Sequence, residues 1–382
     1  MTIFRTGTLN KRTVPPRQGR QGFYDKLIAG LVITVFAICV YSSAPDKIRH
    51  DNSFFTISLA AVGILGVIAF VVAEGLSRPP HNGPHQCVTK DKMKGKRDED
   101  ERVLVCLGDS LTHGACSANW VDSIVTSLTT LQQFNDRAER PPNLLVVNAG
   151  QNSICTHTVL HEKVNHVLAC KPDYIFIMIG SNDAMAIYRD DWAREKMSLW
   201  NLMERPTEDV LIRNLTDTIQ VFLDQTTAEI AIATLPPFGE DSESDSNKVI
   251  HSINARIRML EQLFICKLGD DDRLAQRVSI IDVNDALWTE IRRHRRSSET
   301  KTIQSIDSFL PYAIVMGLLH CVFGFTWNTL TRLLTGNVVM SEALHLNEDG
   351  GNIVKNEVVR WLMNRQTHRH KKGQFCSPTR KQ

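Results

Sequence analysis

Five apolar runs of strand length, Val103 to Leu107, Leu144 to Asn148, Tyr174 to Ile179, Glu229 to Thr234 and Val278 to Val283, alternate with segments of helical period. Runs that are apolar at nearly every position fit strands buried on both faces, and regular β/α alternation is the pattern of a parallel sheet between two helical layers. The intervening helices are expected over Trp120 to Leu131, Thr156 to Ala169, Thr207 to Gln225, Asn247 to Lys267 and Asn284 to Arg295, with a final one over Gly351 to Met363. Some 260 residues are ample for a single buried core.

Three strands of this pattern run into short polar blocks. Gly108-Asp109-Ser110-Leu111 follows the first, Gly150 the second and Gly180-Ser181-Asn182-Asp183 the third; far downstream stands His345, with Glu342 three residues before it. A serine hydroxyl becomes a useful nucleophile when a histidine takes its proton, and a carboxylate commonly fixes that histidine's tautomer. The oxyanion of a tetrahedral intermediate needs hydrogen-bond donors, which the Ser110 and Gly150 amides and the Asn182 side chain can supply. Taken singly, each block also reads as an N-cap or a turn. Their conjunction at the carboxyl ends of parallel strands, where open α/β sheets place ligands, points to a serine hydrolase.

The order of the blocks resembles the SGNH hydrolases, also called GDSL esterases and lipases, over about residues 102–365. Leu235-Pro236-Pro237, Asn254, His345-Leu346-Asn347 and Gly350 agree with that pattern. The resemblance implies a three-layer α/β/α, flavodoxin-like domain with about five parallel strands. It also implies that Ser110 is nucleophile and first oxyanion donor, that Gly150 and Asn182 complete the hole, and that His345 is the general base, oriented by Glu342. Two positions depart from the family: Glu342 stands where aspartate is usual, and Ser153 where a second glycine is frequent. Glutamate reaches the imidazole only if its extra methylene folds back.

Residues 1–26 form a basic tail, and the uncharged stretches 27–45 and 53–73 are each long enough to cross a hydrocarbon core, so two transmembrane helices are expected within 27–76. Lys and Arg crowd both outer flanks and are sparse between the stretches, which puts both ends of the hairpin, and the catalytic domain, in the cytosol. Nine cysteines without paired spacing suit a reducing compartment. A charged linker is expected over 77–101 and a basic disordered tail over 366–382. Residues 308–331 carry no charge and read either as a membrane-interfacial segment beside the active site or as a buried core helix; Pro311, Gly317, His320 and Gly324 argue against an unbroken helix there.

A net charge of +2 gives no field for nucleic acid. Metal-ligand spacings, a phosphate loop and a dinucleotide fingerprint are lacking, so no cofactor is expected. The function expected is therefore a membrane-anchored serine esterase that hydrolyses carboxylic esters through an acyl-enzyme. Its partners would be an acyl-ester substrate, first an acyl lipid such as a lysophospholipid, and membrane lipid; the sequence specifies no protein partner. An O-acyltransferase, an esterase for small acetyl esters or acetylated sugars, and a non-catalytic membrane receptor or scaffold are the alternatives.

Overall fold

The computed structural model describes residues 66, 78–94, 101–133, 143–268, 277–295 and 305–375. The chain divides into two units, Met1–Ser77 and Arg78–Gln382. Apart from Gly66, the stretches expected to span a membrane, 27–45 and 53–73, lie outside the described residues.

The second unit opens with α1 (Pro84–Lys94), then β1 (Glu101–Gly108), the single turn α2 (Ser110–His113) and α3 (Ser123–Gln133). β2 (Asn143–Gly150) leads to α4, residues 156–169, a helix whose middle, Val159–Lys163, widens into a π turn. β3 (Tyr174–Met178), α5 (Ser181–Tyr188), α6 (Asp190–Trp200) and α7 (Glu208–Gln225) follow. Next come β4 (Glu229–Ala233), α8 (Asp245–Leu268), β5 (Val278–Ile281) and α9 (Val283–Arg295). The chain then passes through α10 (Phe309–Phe323), α11 (Trp327–Leu334) and α12 (Glu348–Phe375).

All five strands are parallel, in the order β2-β1-β3-β4-β5. This is the flavodoxin-like order, with its switch point between β1 and β3. Alternate residues of each strand feed two cores. Val103, Val105, Leu107, Ile175 and Ile177 pack with α4, α7 and α8 on one face. Leu104, Cys106, Tyr174, Phe176 and Met178 pack with α3, α9 and α12 on the other. Burial of both faces explains why the strand sequences are apolar throughout.

Three expectations need correction. The segment before β1 is not a free linker: Cys87 and Val88 pack on the first core, and Asn148 N–H donates to Asn82 O at 3.0 Å, so the domain begins at Arg78. α12 reaches Phe375, past the boundary expected at 365. Finally, 309–323 is one unbroken helix. Pro311 falls in its first turn, where a missing N–H leaves no hydrogen bond unmade, and Gly324 ends it as a left-handed cap at φ +70°.

Candidate active site

The register of the sheet assembles the site. Gly108 pairs with Gly150 across β1 and β2 and with Met178 across β1 and β3, so the loops that leave these three strands emerge side by side. Space there is too small for side chains. A Cβ on Gly108 would lie 2.2 Å from Thr112 Oγ1, and one on Gly150 would lie 2.3 Å from the His113 backbone nitrogen. α2 can therefore sit directly on the strand ends. Its N-cap is Asp109, whose Oδ1 accepts Leu111 N–H at 3.0 Å, and Ser110 is the first helical residue.

The last component comes from residues 337–347, between α11 and α12. Ser110 Oγ lies 3.0 Å from His345 Nε2. On the other side of the ring, Nδ1 bonds to Glu342 Oε1. A carboxylate accepts only, so Nδ1 carries the proton and Nε2 is free to accept the seryl hydrogen. The extra methylene of Glu342 folds back as required: Oε2 accepts His345 N–H at 3.0 Å and Ser341 Oγ–H at 2.8 Å. Burial pushes the Glu342 pKa up, but the charge of His345 and these three hydrogen bonds outweigh it and hold it below the usual carboxylate value. Burial by itself would lower His345; the charge and hydrogen bond of Glu342, helped by Asp109, prevail and raise it.

The histidine segment is itself fixed by a neighbouring loop and the asparagines that clamp it. Asn247 donates to Phe238 O and accepts from Phe238 N–H, both at 2.9 Å, while Asn254 brackets Leu235 in the same manner at 2.9 and 2.7 Å. These clamps hold the 235–240 loop. From it Gly239 N–H donates to Ala343 O at 2.7 Å, and buried Glu240 Oε1 accepts the amides of Val338, Val339 and Met340 at 2.8, 2.8 and 3.2 Å. Asn254 was legible through the family pattern; Asn247 and Glu240 carry no local signal, since only the folded loop brings them to their partners.

Of the expected oxyanion donors, two remain available and one does not. Ser110 N–H heads a helix and makes no hydrogen bond with the described residues. Asn182 Nδ2 donates one hydrogen to Ile154 O at 3.0 Å and keeps a second. Gly150 N–H, by contrast, is donated to Asn148 Oδ1 at 2.9 Å, and that Asn148 in turn donates to Thr112 O and His113 O. The glycine is needed there for close packing, and its amide is not offered to a ligand. Ser153, three residues on, occupies the left-handed region at φ +64°, a conformation that favours the glycine frequent at this position. Its carbonyl accepts Trp200 Nε1–H at 2.7 Å, and its amide makes no hydrogen bond with the described residues.

Asp183 sits behind the site, accepting Thr156 N–H at 3.0 Å and Thr156 Oγ–H at 2.7 Å, and so ties α5 to the start of α4. Burial pushes its pKa up to about 6. Burial also pushes Asp109 up to about 6, against the opposing pull of Leu111 N–H and His345. Cys106 and Cys155 are buried with their thiols pushed well up, which keeps them protonated and unreactive. Among the described residues, no group of three His, Cys, Asp or Glu side chains could hold a metal ion.

A seryl oxygen within hydrogen-bond reach of a carboxylate-held imidazole, at the carboxyl edge of a parallel sheet, defines a serine hydrolase acting on ester bonds. Residues 106–271 match the GDSL-like Lipase/Acylhydrolase family, and this match agrees with an SGNH-type serine hydrolase acting on esters. No curated protein matches the chain. Similar solved structures include the acetylxylan esterase Axe2 from Geobacillus stearothermophilus (14% identity, 68% of this chain and 94% of that one, TM-score 0.43). The lipase/acylhydrolase from Enterococcus faecalis is similar at 18% identity, over 69% of this chain and 96% of that one, with a TM-score of 0.41. The acetyl xylan esterase AlAXEase is similar at 15% identity, over 67% and 97%, with a TM-score of 0.42.

Proposed function

We propose that the protein is a membrane-anchored esterase that cleaves acyl lipids, of which a lysophospholipid is the first, through an acyl-enzyme. The observation that carries the hydrolytic part is the Ser110–His345–Glu342 arrangement. Ser110 Oγ attacks the ester carbonyl while His345 Nε2 takes its proton; the resulting imidazolium is stabilised by Glu342 and passes the proton to the leaving alcohol. His345 then draws a proton from water, whose oxygen attacks the acyl-enzyme carbonyl; as the bond to Ser110 Oγ breaks and the fatty acid leaves, His345 returns that proton to Oγ. The developing oxyanion receives the Ser110 amide and the second Asn182 hydrogen. The Ser153 amide, which makes no hydrogen bond with the described residues, is the donor we assign in place of Gly150.

The lipid part is supported by two features. The uncharged stretches 27–45 and 53–73 are long enough to anchor the chain, with the flanking Lys and Arg favouring a cytosolic catalytic domain. Within the domain, α10 is strongly apolar and only 22% of the Ile306–Phe323 window is buried, so the domain carries an exposed apolar surface. The test is fatty-acid release from lysophosphatidylcholine by the full chain in detergent micelles, with Ser110→Ala as control and glycerol as an added acyl acceptor. Free fatty acid from the wild type alone supports the reading. An acyl-glycerol product would make the protein a transferase, and turnover of short acetyl esters with none of the lysophospholipid would replace the lipid substrate by a small one.

A further inference from the structure

α10 has two contrasting sides. Phe309, Ala313, Met316 and Gly317 follow helical spacing and face the protein; Phe309 rests against Trp192 of α6 with ring centroids 5.5 Å apart. On the remaining faces Leu310, Ile314 and Val315 are exposed, Ile314 at 62%, and Phe323 at the end of the helix is 66% exposed. No charged side chain lies between Ser308 and Thr331 to interrupt this surface. A helix that is apolar all round normally has apolar surroundings all round.

Both ends of α10 are fastened to segments that carry the site. At its start Asp307 accepts Tyr188 Oη–H at 3.0 Å and lies 3.6 Å from Arg189, which tie it to α5, the helix of Asn182. Toward its end Met316 and Leu319 pack with Ala118, Trp327 and Leu330. Ala118 N–H donates to the carbonyl of Leu346, the neighbour of His345, at 2.9 Å. Cys321 of α10 and Glu342 both act electrostatically on Cys116, whose thiol is pushed up to about 12 chiefly by burial. The helix therefore joins the segments that leave two of the site's blocks.

We infer that the outer face of α10 docks on a lipid bilayer, lying in the interface beside the active site, so that an acyl chain passes from the membrane to Ser110 without crossing water. The inference rests on the acyl-lipid reading and names the surface that serves it. Crossing the bilayer is excluded by length and topology. Fifteen residues of helix extend about 22 Å, short of a hydrocarbon core of about 30 Å, and both ends return to one domain. A bilayer fits this face better than a second protein, because the outward side chains supply a single hydrogen-bonding group, Tyr312, where protein interfaces carry a polar rim. Tyr312, near the start of the helix, is a ring type that settles at headgroup level.

The test uses the full chain reconstituted in phosphatidylcholine vesicles, with a genetically encoded dansyl amino acid replacing Ile314 or, as control, Gln225 at the opposite edge of the sheet. A phosphatidylcholine bearing a shallow doxyl group should quench the probe at 314 and leave that at 225 bright. Equal brightness at both positions, or a probe at 314 shielded from aqueous iodide to the same degree in lipid-free amphipol, would overturn the inference; the second result would assign the face to protein. In parallel, the triple variant Ile314→Glu, Val315→Glu and Phe323→Glu should keep p-nitrophenyl acetate turnover within about twofold and lose at least about tenfold on an acyl ester embedded in vesicles. Unchanged vesicle turnover would also overturn it. If the wild type cleaves no acyl lipid, the substrate reading fails, while doxyl quenching still decides the docking.

Discussion

Replacing Glu342 by Gln isolates the electrostatics of the site with little change of volume. In the wild type the carboxylate contacts Nδ1 and is buried, and it accepts two further hydrogen bonds from the His345 amide and Ser341. During attack on the ester the imidazole gains a proton and a full charge. A unit charge pair about 4 Å apart at an effective dielectric of about 20 is worth about 4 kcal/mol, and that loss slows the chemical step about a thousandfold. The amide adds a second fault, since its NH2 can donate to Nδ1 and leave the proton on Nε2, the tautomer that cannot accept from Ser110; loss of the triad carboxylate elsewhere costs about 10^4 in kcat. Hydrolysis of p-nitrophenyl acetate should fall by about 10^3 to 10^4 in kcat with KM within a few-fold. The pH profile supplies a second readout. Glu342 raises His345, so the wild-type ascending limb should lie above pH 6.5; without the carboxylate, burial acts alone and the residual activity should rise at lower pH. A Gln variant that retains more than about a tenth of wild-type kcat, or whose limb does not move, would refute this account of Glu342.

Four further outcomes follow from named contacts. Glu240→Ala leaves three buried amides unpaired, at about 1–3 kcal/mol each before water relieves them; thermal unfolding should show a loss of several kcal/mol, and kcat should fall while Glu240→Gln, which still offers an acceptor, restores most of it. Gly150→Ala forces a Cβ to within 2.3 Å of the His113 nitrogen and should prevent normal folding or displace α2, seen as lost near-ultraviolet circular dichroism, whereas Ser153→Gly should relieve the φ of +64° and raise stability by up to about 1 kcal/mol. Asp183→Asn removes a buried carboxylate whose pKa is raised to about 6; a raised acid loses stability as pH climbs from about 4 to 6, so the variant should show a smaller decline over that window in denaturant titrations. The Glu342 and His345 pair acts in the opposite sense: Glu342 stabilises above the ordinary carboxylate pKa and loses this as pH falls through its lowered value, while the His345 contribution is full below 6.5 and is lost as pH rises through its raised value. Stability should therefore be greatest on the acid side of the pH at which activity saturates.

The sheet was legible because a strand buried on both faces leaves a continuous apolar run, and all five runs became strands within a residue or two of their expected ends. The block residues were legible because catalysis by serine restricts residue type. What escaped was short or relational. α2 is a single turn, and α5 and α6 meet at Arg189 without an apolar stripe long enough to count. Pro311 and Gly317 suggested breaks that the first-turn position of one and the buried site of the other remove. Gly150 was read through its amide, while its lack of a side chain is what the packing uses; the distinction depends on Asn148 Oδ1, visible only once the loop is folded. Glu240 and Asn247 act through partners distant in sequence or on backbone amides, for which a sequence holds no local sign.

The central claim is that Ser110 is a nucleophile activated by His345. Its most direct test is labelling of the purified full chain by a fluorophosphonate probe, comparing wild type with Ser110→Ala and His345→Ala. The account predicts that the wild type is labelled stoichiometrically at Ser110, that the first variant takes no label, and that the second is labelled only very slowly. A folded wild type that resists the probe, or a Ser110→Ala protein that still reacts, would contradict it.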